Sequence, residues 1–157
     1  MFTSLPELWL AIRTADCLPI LFVDPRAKVI AAVHAGWRGT VDQILVKTVA
    51  RLTTECQCVP ADLLVAIGPG ISACCFEVGA EVANQFESAY VSTGSTGKVH
   101  IDLKKANLAQ LLQVGVRAKN IDVAEACTIC TPGFHSYRGN KTAERMNSAI
   151  KIKRGAV

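Results

Sequence analysis

Thr14-Ala15-Asp16-Cys17-Leu18-Pro19-Ile20-Leu21-Phe22-Val23-Asp24-Pro25-Arg26, continuing through Lys28-Val29-Ile30-Ala31-Ala32-Val33 to His34-Ala35-Gly36-Trp37-Arg38-Gly39, decides how this chain folds. Leu18 to Val23 is apolar apart from Pro19, which a strand edge tolerates, and Asp24-Pro25-Arg26 carries turn chemistry. Lys28 to Val33 then runs back as a second β-rich segment. Paired as a hairpin, the two strands bring Cys17, before the first, and His34, after the second, to the same end of the ladder. A thiolate and an imidazole placed together can serve as nucleophile and base, or as two ligands of a metal.

Outward from this hairpin, strand and helix signals alternate. Leu8 to Ile12 reads as a buried strand that opens the chain abruptly. Thr40 begins a helix with capping-box chemistry, Thr40-x-x-Gln43, whose inner face is Val41, Ile44, Leu45, Thr48 and Leu52. Leu63 to Ile67 is a strand closed by the Gly68-Pro69-Gly70 turn, and Val78, Val82 and Phe86 place a second helix over about Val78 to Ala89. Val91 to Gly97 is a surface loop. Asp102 can cap a third helix that turns Leu103, Ala106, Leu111 and Val114 inward and stops at Gly115. Ile121 to Ala126, Phe134 to Arg138 and Ala149 to Ile152 complete the strand set. The alternation predicts a mixed α/β layered domain without internal repeat or interdomain linker.

Length and composition narrow the function classes. With 157 residues, half of them hydrophobic and 19% charged, the chain can bury a substantial core as one domain. A net charge of +4 is mild, and Lys151, Lys153 and Arg154 make a short tail rather than a nucleic-acid stripe. Leu63 to Phe76, the longest uncharged stretch, is shorter than the ~20 residues of a membrane span and contains Gly68-Pro69-Gly70. Met1 to Leu10 lacks the basic start of a secretory signal, and seven unevenly spaced cysteines read as free thiols in a reducing, cytoplasmic protein.

An unaided buried cysteine is more often inert packing than chemistry, but Cys17 has Asp16 beside it and His34 across the hairpin. His34 itself reads equally as a hydrogen-bonded core histidine. The His34 loop runs into a helix start, where the N–H groups of Gly39 to Val41 and the Arg38 guanidinium suit a phosphate or carboxylate. Trp37 reads otherwise as ordinary burial and Arg38 as a surface ion pair. Phe134, His135, Tyr137 and Arg138 form an aromatic and cationic cluster able to stack on a base or sugar, or to close a core edge. Cys127-x-x-Cys130 is a weak redox or zinc signal on its own, and Cys56-Gln57-Cys58 and Cys74-Cys75 lack metal-ligand spacing, so burial is their expected role.

Taken together, Thr14 to Pro19, His34 to Gly39, Gly68-Pro69-Gly70-Ile71 with Cys75-Phe76-Glu77-Val78-Gly79, Ile101-Asp102-Leu103, Cys127-Thr128 and Phe134 to Arg138 resemble one family. It is the YfiH/YlmD family, also called laccase-domain or polyphenol-oxidase-like and FAMIN-related, and the resemblance runs to about Ile152. It implies a mixed-sheet α/β/β/α sandwich and a purine nucleoside phosphorylase acting on adenosine, inosine and methylthioadenosine, with adenosine deaminase activity. In the family a cysteine and two histidines bind zinc. By motif the cysteine maps to Cys17 and one histidine to His34, and the other histidine lies in an N-terminal region expected before Met1.

The expected site therefore has Cys17, His34 and Arg38 as catalytic groups. Asp16, Gly36, Trp37, Gly39, Phe134, Tyr137 and Arg138 are the expected substrate contacts. Zinc at Cys17 and His34 (copper as second candidate), inorganic phosphate as co-substrate and a homodimer complete the expectation, with neither nucleic acid nor membrane as partner. Two departures accompany it. The domain, 1–157, is expected to be incomplete at its N-terminus, with His135 or His100 the only other imidazoles to replace the missing ligand, and Ala143-Glu144-Arg145 stands where relatives carry Thr-Gly-Arg. Three histidines cannot build the copper cluster of an oxygen-reducing oxidase. A Cys-His hydrolase on amide or acyl bonds, a copper-type polyphenol oxidase with a simpler site and a non-catalytic truncated nucleoside-binding domain are the other readings.

Overall fold

The computed structural model describes residues 1–94 and 97–155. In chain order the strands are β1 (Phe2–Thr3), β2 (Leu10–Thr14), β3 (Leu18–Asp24), β4 (Val29–Ala35), β5 (Leu64–Ile67), β6 (Glu77–Val78), β7 (Val91–Thr93), β8 (Val99–Ile101), β9 (Ile121–Val123) and β10 (Met146–Ile150). The helices are α1 (Trp37–Val41), α2 (Ile44–Cys56), α3 (Ala80–Ala83), α4 (Leu103–Gln113) and α5 (Tyr137–Asn140).

The β3–β4 hairpin forms as the sequence predicts, with Leu18 opposite Ala35 and Asp24 opposite Val29, but its second strand runs on past Val33 to Ala35, so His34, expected after the strand, lies within it opposite Pro19. At its tip Asp24 Oδ1 accepts from the N–H groups of Arg26 and Ala27, both at 2.9 Å, so the carboxylate folds the turn back on itself. The hairpin sits inside a five-stranded sheet ordered β1-β4-β3-β5-β9, antiparallel except where β9 runs parallel to β5.

Each face of this sheet has a different cover. Leu18, Ile20 and Phe22 point to one side, where Leu45, Val49 and Leu52 of α2 and Leu103 and Leu111 of α4 close a dry core. Leu21 and Val23 point to the other side and pack with Leu10, Ile12, Ile30 and Ala32 beneath a β2–β10 ribbon. Helices, main sheet and ribbon stack in that order, a mixed-sheet α/β sandwich as expected. The outward residues of the ribbon, Ala11, Arg13, Asn147 and Ala149, are exposed.

Several element boundaries differ from the sequence prediction. The first strand begins at Leu10, not Leu8, because Glu7 turns the chain (φ 65) and its N–H bonds Ile152 O at 2.8 Å before pairing with β10 starts. Leu8 and Trp9 are left exposed. Thr40 does not cap a helix. It lies inside α1, its hydroxyl donating to Gly36 O at 3.0 Å and accepting from buried Asn107 Nδ2 at 2.9 Å. Gln43 adopts φ 55, so α2 starts afresh at Ile44.

Of the helix predicted over Val78 to Ala89 only Ala80–Ala83 is helical, because Val78 is drawn into a ladder opposite Val99. The loop predicted over Val91 to Gly97 begins as strand β7, paired with β8, and its residues 95 and 96 lie outside the described residues. Ile121 to Ala126 shortens to Ile121–Val123, and the last strand runs Met146–Ile150. Phe134 to Arg138 is not a strand, for a reason that belongs to the site.

Candidate functional site

Asp16 is the residue around which the site is assembled. Its backbone is left-handed (φ 88), and it turns the end of β2 into the start of β3. The carboxylate is buried and accepts three hydrogen bonds. Oδ1 accepts from the hydroxyls of Thr128 and Ser136, each at 2.7 Å, and Oδ2 accepts from the Arg138 N–H at 2.6 Å. Its carbonyl accepts from the Ile71 N–H at 2.8 Å.

This capture explains why 134–138 is not extended. Ser136, held by Asp16, also accepts from the Gly139 N–H at 2.8 Å and caps the short helix α5. The Asp16 carboxylate thus fastens Thr128, Ser136 and Arg138 to the base of the hairpin, and its backbone carbonyl fastens Ile71.

Cys17 follows directly. A Cβ placed on Gly36 would lie 2.8 Å from Cys17 Sγ, so only glycine allows the thiol to sit against the start of α1. Burial and the neighbouring Asp16 charge push the Cys17 thiol up from its ordinary value, while Arg145 opposes them. Arg145 was not predicted as a site residue. Pairing of Met146 with Thr14 delivers it beside Cys17, and its Nη1 is steadied by the carbonyls of Thr142 (2.9 Å) and Glu144 (2.8 Å).

His34 lies opposite Pro19 near the same end of the ladder. It is exposed and borders a cleft of ≈ 350 Å³ with Arg13, Ile44 and Thr48, and desolvation lowers its pKa from the usual histidine value. It is therefore neutral near pH 7.

The remaining predicted residues fall on separate walls. Trp37 and Arg138 share a cleft of ≈ 310 Å³ with Phe76, Glu77 and Glu81. Arg38, exposed, stacks over the Trp37 ring at 4.3 Å from its centroid, and Arg138 lies over Phe76 at 5.6 Å while donating to Glu77 O at 2.7 Å. Tyr137 is exposed between the cationic ends of Lys141 and Arg145. Phe134 lies in another shallow cleft with Thr128 and Ser136. Gly39 packs on Ile44 and the His34 carbonyl.

The anion site expected at the N–H groups of Gly39 to Val41 is displaced. Because the helix starts at Trp37, the Thr40 N–H is already bonded to Gly36 O at 2.9 Å, and the uncommitted helical donors move back to Trp37–Gly39.

Two donors, Cys17 and His34, do not make a metal site. Among the described residues no third His, Cys, Asp or Glu donor gathers with them, whereas structural and catalytic zinc takes at least three protein ligands. His135 is turned toward Glu144 (Nδ1 to Oε2, 3.1 Å) and His100 of β8 lies opposite Glu77 of β6, so neither joins Cys17 and His34 as a third ligand.

The gathering that does occur was not predicted. Sγ atoms of Cys74, Cys75, Cys127 and Cys130 all lie within 4.8 Å of one another and could hold a metal ion. The Gly70–Cys127 bridge and the Ser72–Cys127 hydrogen bond, the latter between residues 55 apart in sequence, join two loops that no local spacing brings together.

Comparison with known proteins agrees with this fold. The chain matches, over residues 1–153, the family model described as "Multi-copper polyphenol oxidoreductase laccase". It is 41% identical over 135 residues to a purine nucleoside phosphorylase of Bacteroides thetaiotaomicron, covering 82% of this chain and 50% of that protein. It is 40% identical over 137 residues to adenosine deaminase RL5 from an unknown prokaryotic organism, covering 83% of this chain and 52% of that protein. The crystal structure of YlmD from Geobacillus stearothermophilus superposes with a TM-score of 0.91 at 36% identity, over 98% of this chain and 60% of that one. The chain thus spans about half the length of the curated relatives it matches. By sequence and by fold alike, it belongs to the laccase-like YlmD/YfiH family, several of whose relatives are named purine nucleoside phosphorylases.

Proposed function

We propose that this chain carries the Cys17–His34 half of a purine nucleoside phosphorylase, with phosphate as co-substrate and adenosine deamination as a second activity of the same site. The observation that carries the reading is the carboxylate of Asp16. It ties the Cys17 turn to the Arg138 helix and thereby faces a thiol toward Gly36 at the head of α1. Its relatives named for phosphorolysis and for adenosine deamination support the two chemistries.

In phosphorolysis a phosphate oxygen bonds to C1′ of the ribose as the bond from C1′ to the purine nitrogen breaks, and the departing base takes a proton. Arg38 and the uncommitted N–H groups at Trp37–Gly39 orient the phosphate and offset its charge. Neutral His34 accepts a proton from phosphate, or from water in deamination. Cys17, its thiol held protonated near neutral pH, donates a hydrogen bond toward the reacting oxygen. The Trp37–Phe76–Arg138 cleft accommodates the base. Zinc or copper, if the family's third ligand joins Cys17 and His34, would supply Lewis acidity at the attacking oxygen. This chain's two donors do not build that site, and no step here runs through it.

The protonated Cys17 thiol also disfavours a Cys-His hydrolase, which needs a thiolate at neutral pH. To test the reading, the chain is incubated with inosine and with adenosine, each with and without inorganic phosphate, and products are separated by chromatography. Phosphate-dependent release of free base with ribose 1-phosphate is expected, together with phosphate-independent conversion of adenosine to inosine. Absence of both products overturns it, and a thermal shift with adenosine then identifies a nucleoside-binding domain.

A further inference from the structure

We propose that Cys74, Cys75, Cys127 and Cys130 form a structural zinc site of four thiolates that fastens the wall behind the Asp16 carboxylate. The inference does not depend on the phosphorylase reading. A tetrahedral ion with Zn–S distances of ~2.3 Å sets its four sulfurs ~3.8 Å apart. Here Cys74–Cys75 is 3.7 Å, Cys74–Cys130 3.6 Å and Cys75–Cys130 3.2 Å, so the thiols are spaced for a common ion with small adjustment.

The loop carrying Cys127-x-x-Cys130 is shaped to hold a thiolate. The backbone N–H of Ser72 donates to the Cys127 sulfur at 3.4 Å. Such a donor spreads the negative charge of a ligating sulfur and fixes its direction, as outer-shell partners of metal ligands do. A second compensating charge is near. The Lys104 ammonium donates to the carbonyls of Ala124 (2.8 Å), Glu125 (3.1 Å) and Ala126 (2.9 Å), which lead into Cys127, and its charge reaches both Cys127 and Cys74. Two further thiols, Cys74 and Cys130, are exposed, so the ion can enter without unfolding the loops.

The position explains what the ion is for. Gly70 bridges Cys127, Thr128 N–H donates to Gly70 O at 3.2 Å, and Thr128 Oγ1 donates to Asp16. Among the described residues these two loops contain little helix or strand to stiffen them. Each thiol loses its proton on binding, four thiolates leave the complex with two net negative charges, and no oxidant or reductant is involved.

The test loads the reduced chain anaerobically with Co²⁺ alone. One equivalent is expected to bind with tetrahedral visible bands and thiolate-to-cobalt charge transfer of four-sulfur intensity, displaced by Zn²⁺. Cys17→Ser leaves this spectrum unchanged. Cys130→Ser weakens binding by more than ~10-fold and lowers the charge-transfer intensity toward three sulfurs. If the wild-type chain binds no tetrahedral cobalt, or the spectrum vanishes in Cys17→Ser and persists in Cys130→Ser, the proposal is overturned. Peptide mapping that finds a disulfide among these four cysteines in the freshly purified chain overturns it equally.

Discussion

At the scale of single residues, the decisive group is a buried carboxylate rather than the thiol beside it. Asp16 accepts two hydroxyls and one backbone N–H from a segment more than 110 residues away. Removing the acceptor leaves buried donors unpaired, each costing about 1–3 kcal/mol. Asp16→Ala is expected to lower unfolding free energy by at least that much for one donor, measured by urea titration. A loss under ~0.5 kcal/mol, the size of an ordinary surface change, would mean that the segment is held by other contacts. Cys17 titrates in the shadow of the same group. Burial and Asp16 raise its pKa and Arg145 lowers it, so its thiolate forms only above the ordinary thiol range. Alkylation at Cys17, followed by peptide mass spectrometry, should therefore rise late on the alkaline side, and Arg145→Ala should move that rise to still higher pH. A shift toward lower pH in the variant would show that Arg145 does not act on the sulfur.

At the scale of elements, the break between α1 and α2 is what aims the Gly36-Trp37-Arg38 turn. The sequence offered Thr40-x-x-Gln43 as a capping box, but a buried polar contact wins over that local pattern. Asn107 of α4 donates to Thr40 Oγ1 and to Leu103 O, and Gln110 donates to Thr40 O at 2.7 Å. With Thr40 claimed from α4, α1 closes one turn earlier and the chain restarts at Ile44 through left-handed Gln43. Asn107→Ala is expected to destabilise the chain by about 1–3 kcal/mol. It should also accelerate amide hydrogen exchange in Trp37–Val41 more than in α2. Equal acceleration in both helices would show that α1 does not depend on this contact. The helix expected over Val78 to Ala89 shortens to Ala80–Ala83 for a similar reason. Val78 and Phe86 keep helical spacing, yet Val78 gains a ladder partner in Val99 that spacing cannot reveal.

At the scale of the whole molecule, the layered arrangement puts chemistry at the end of the hairpin where three distant loops meet. Phe22 and its neighbours hold the sheet against the helices, and the β2–β10 ribbon carries Arg145 to Cys17. The predicted site residues are distributed over several walls of this end: His34 beside Ile44, Trp37 and Arg138 in one cleft, Phe134 in another. Turnover by the chain itself therefore tests whether these walls, as they stand, enclose one substrate. The chain's span of about half its curated relatives makes that measurement the informative one.

The sequence by itself determined the hairpin of Leu18–Val23 with Lys28–Val33 and the Asp102-capped helix with its stop at Gly115, because each depends on neighbours a few residues apart, and its motifs resembled the family to which the chain belongs. Periodicity, turn chemistry and caps are local physics, readable without a third dimension. Tertiary structure alone decided the partners of Asp16, the arrival of Arg145 at Cys17, and the meeting of Cys74-Cys75 with Cys127 and Cys130. Those contacts join segments more than 50 positions apart, and loops carry no period from which their meeting could be inferred. The parallel strand β9 returns the chain alongside β5 and sets Gly70 beside Cys127, while the pairing of β10 with β2 brings Arg145 to Cys17.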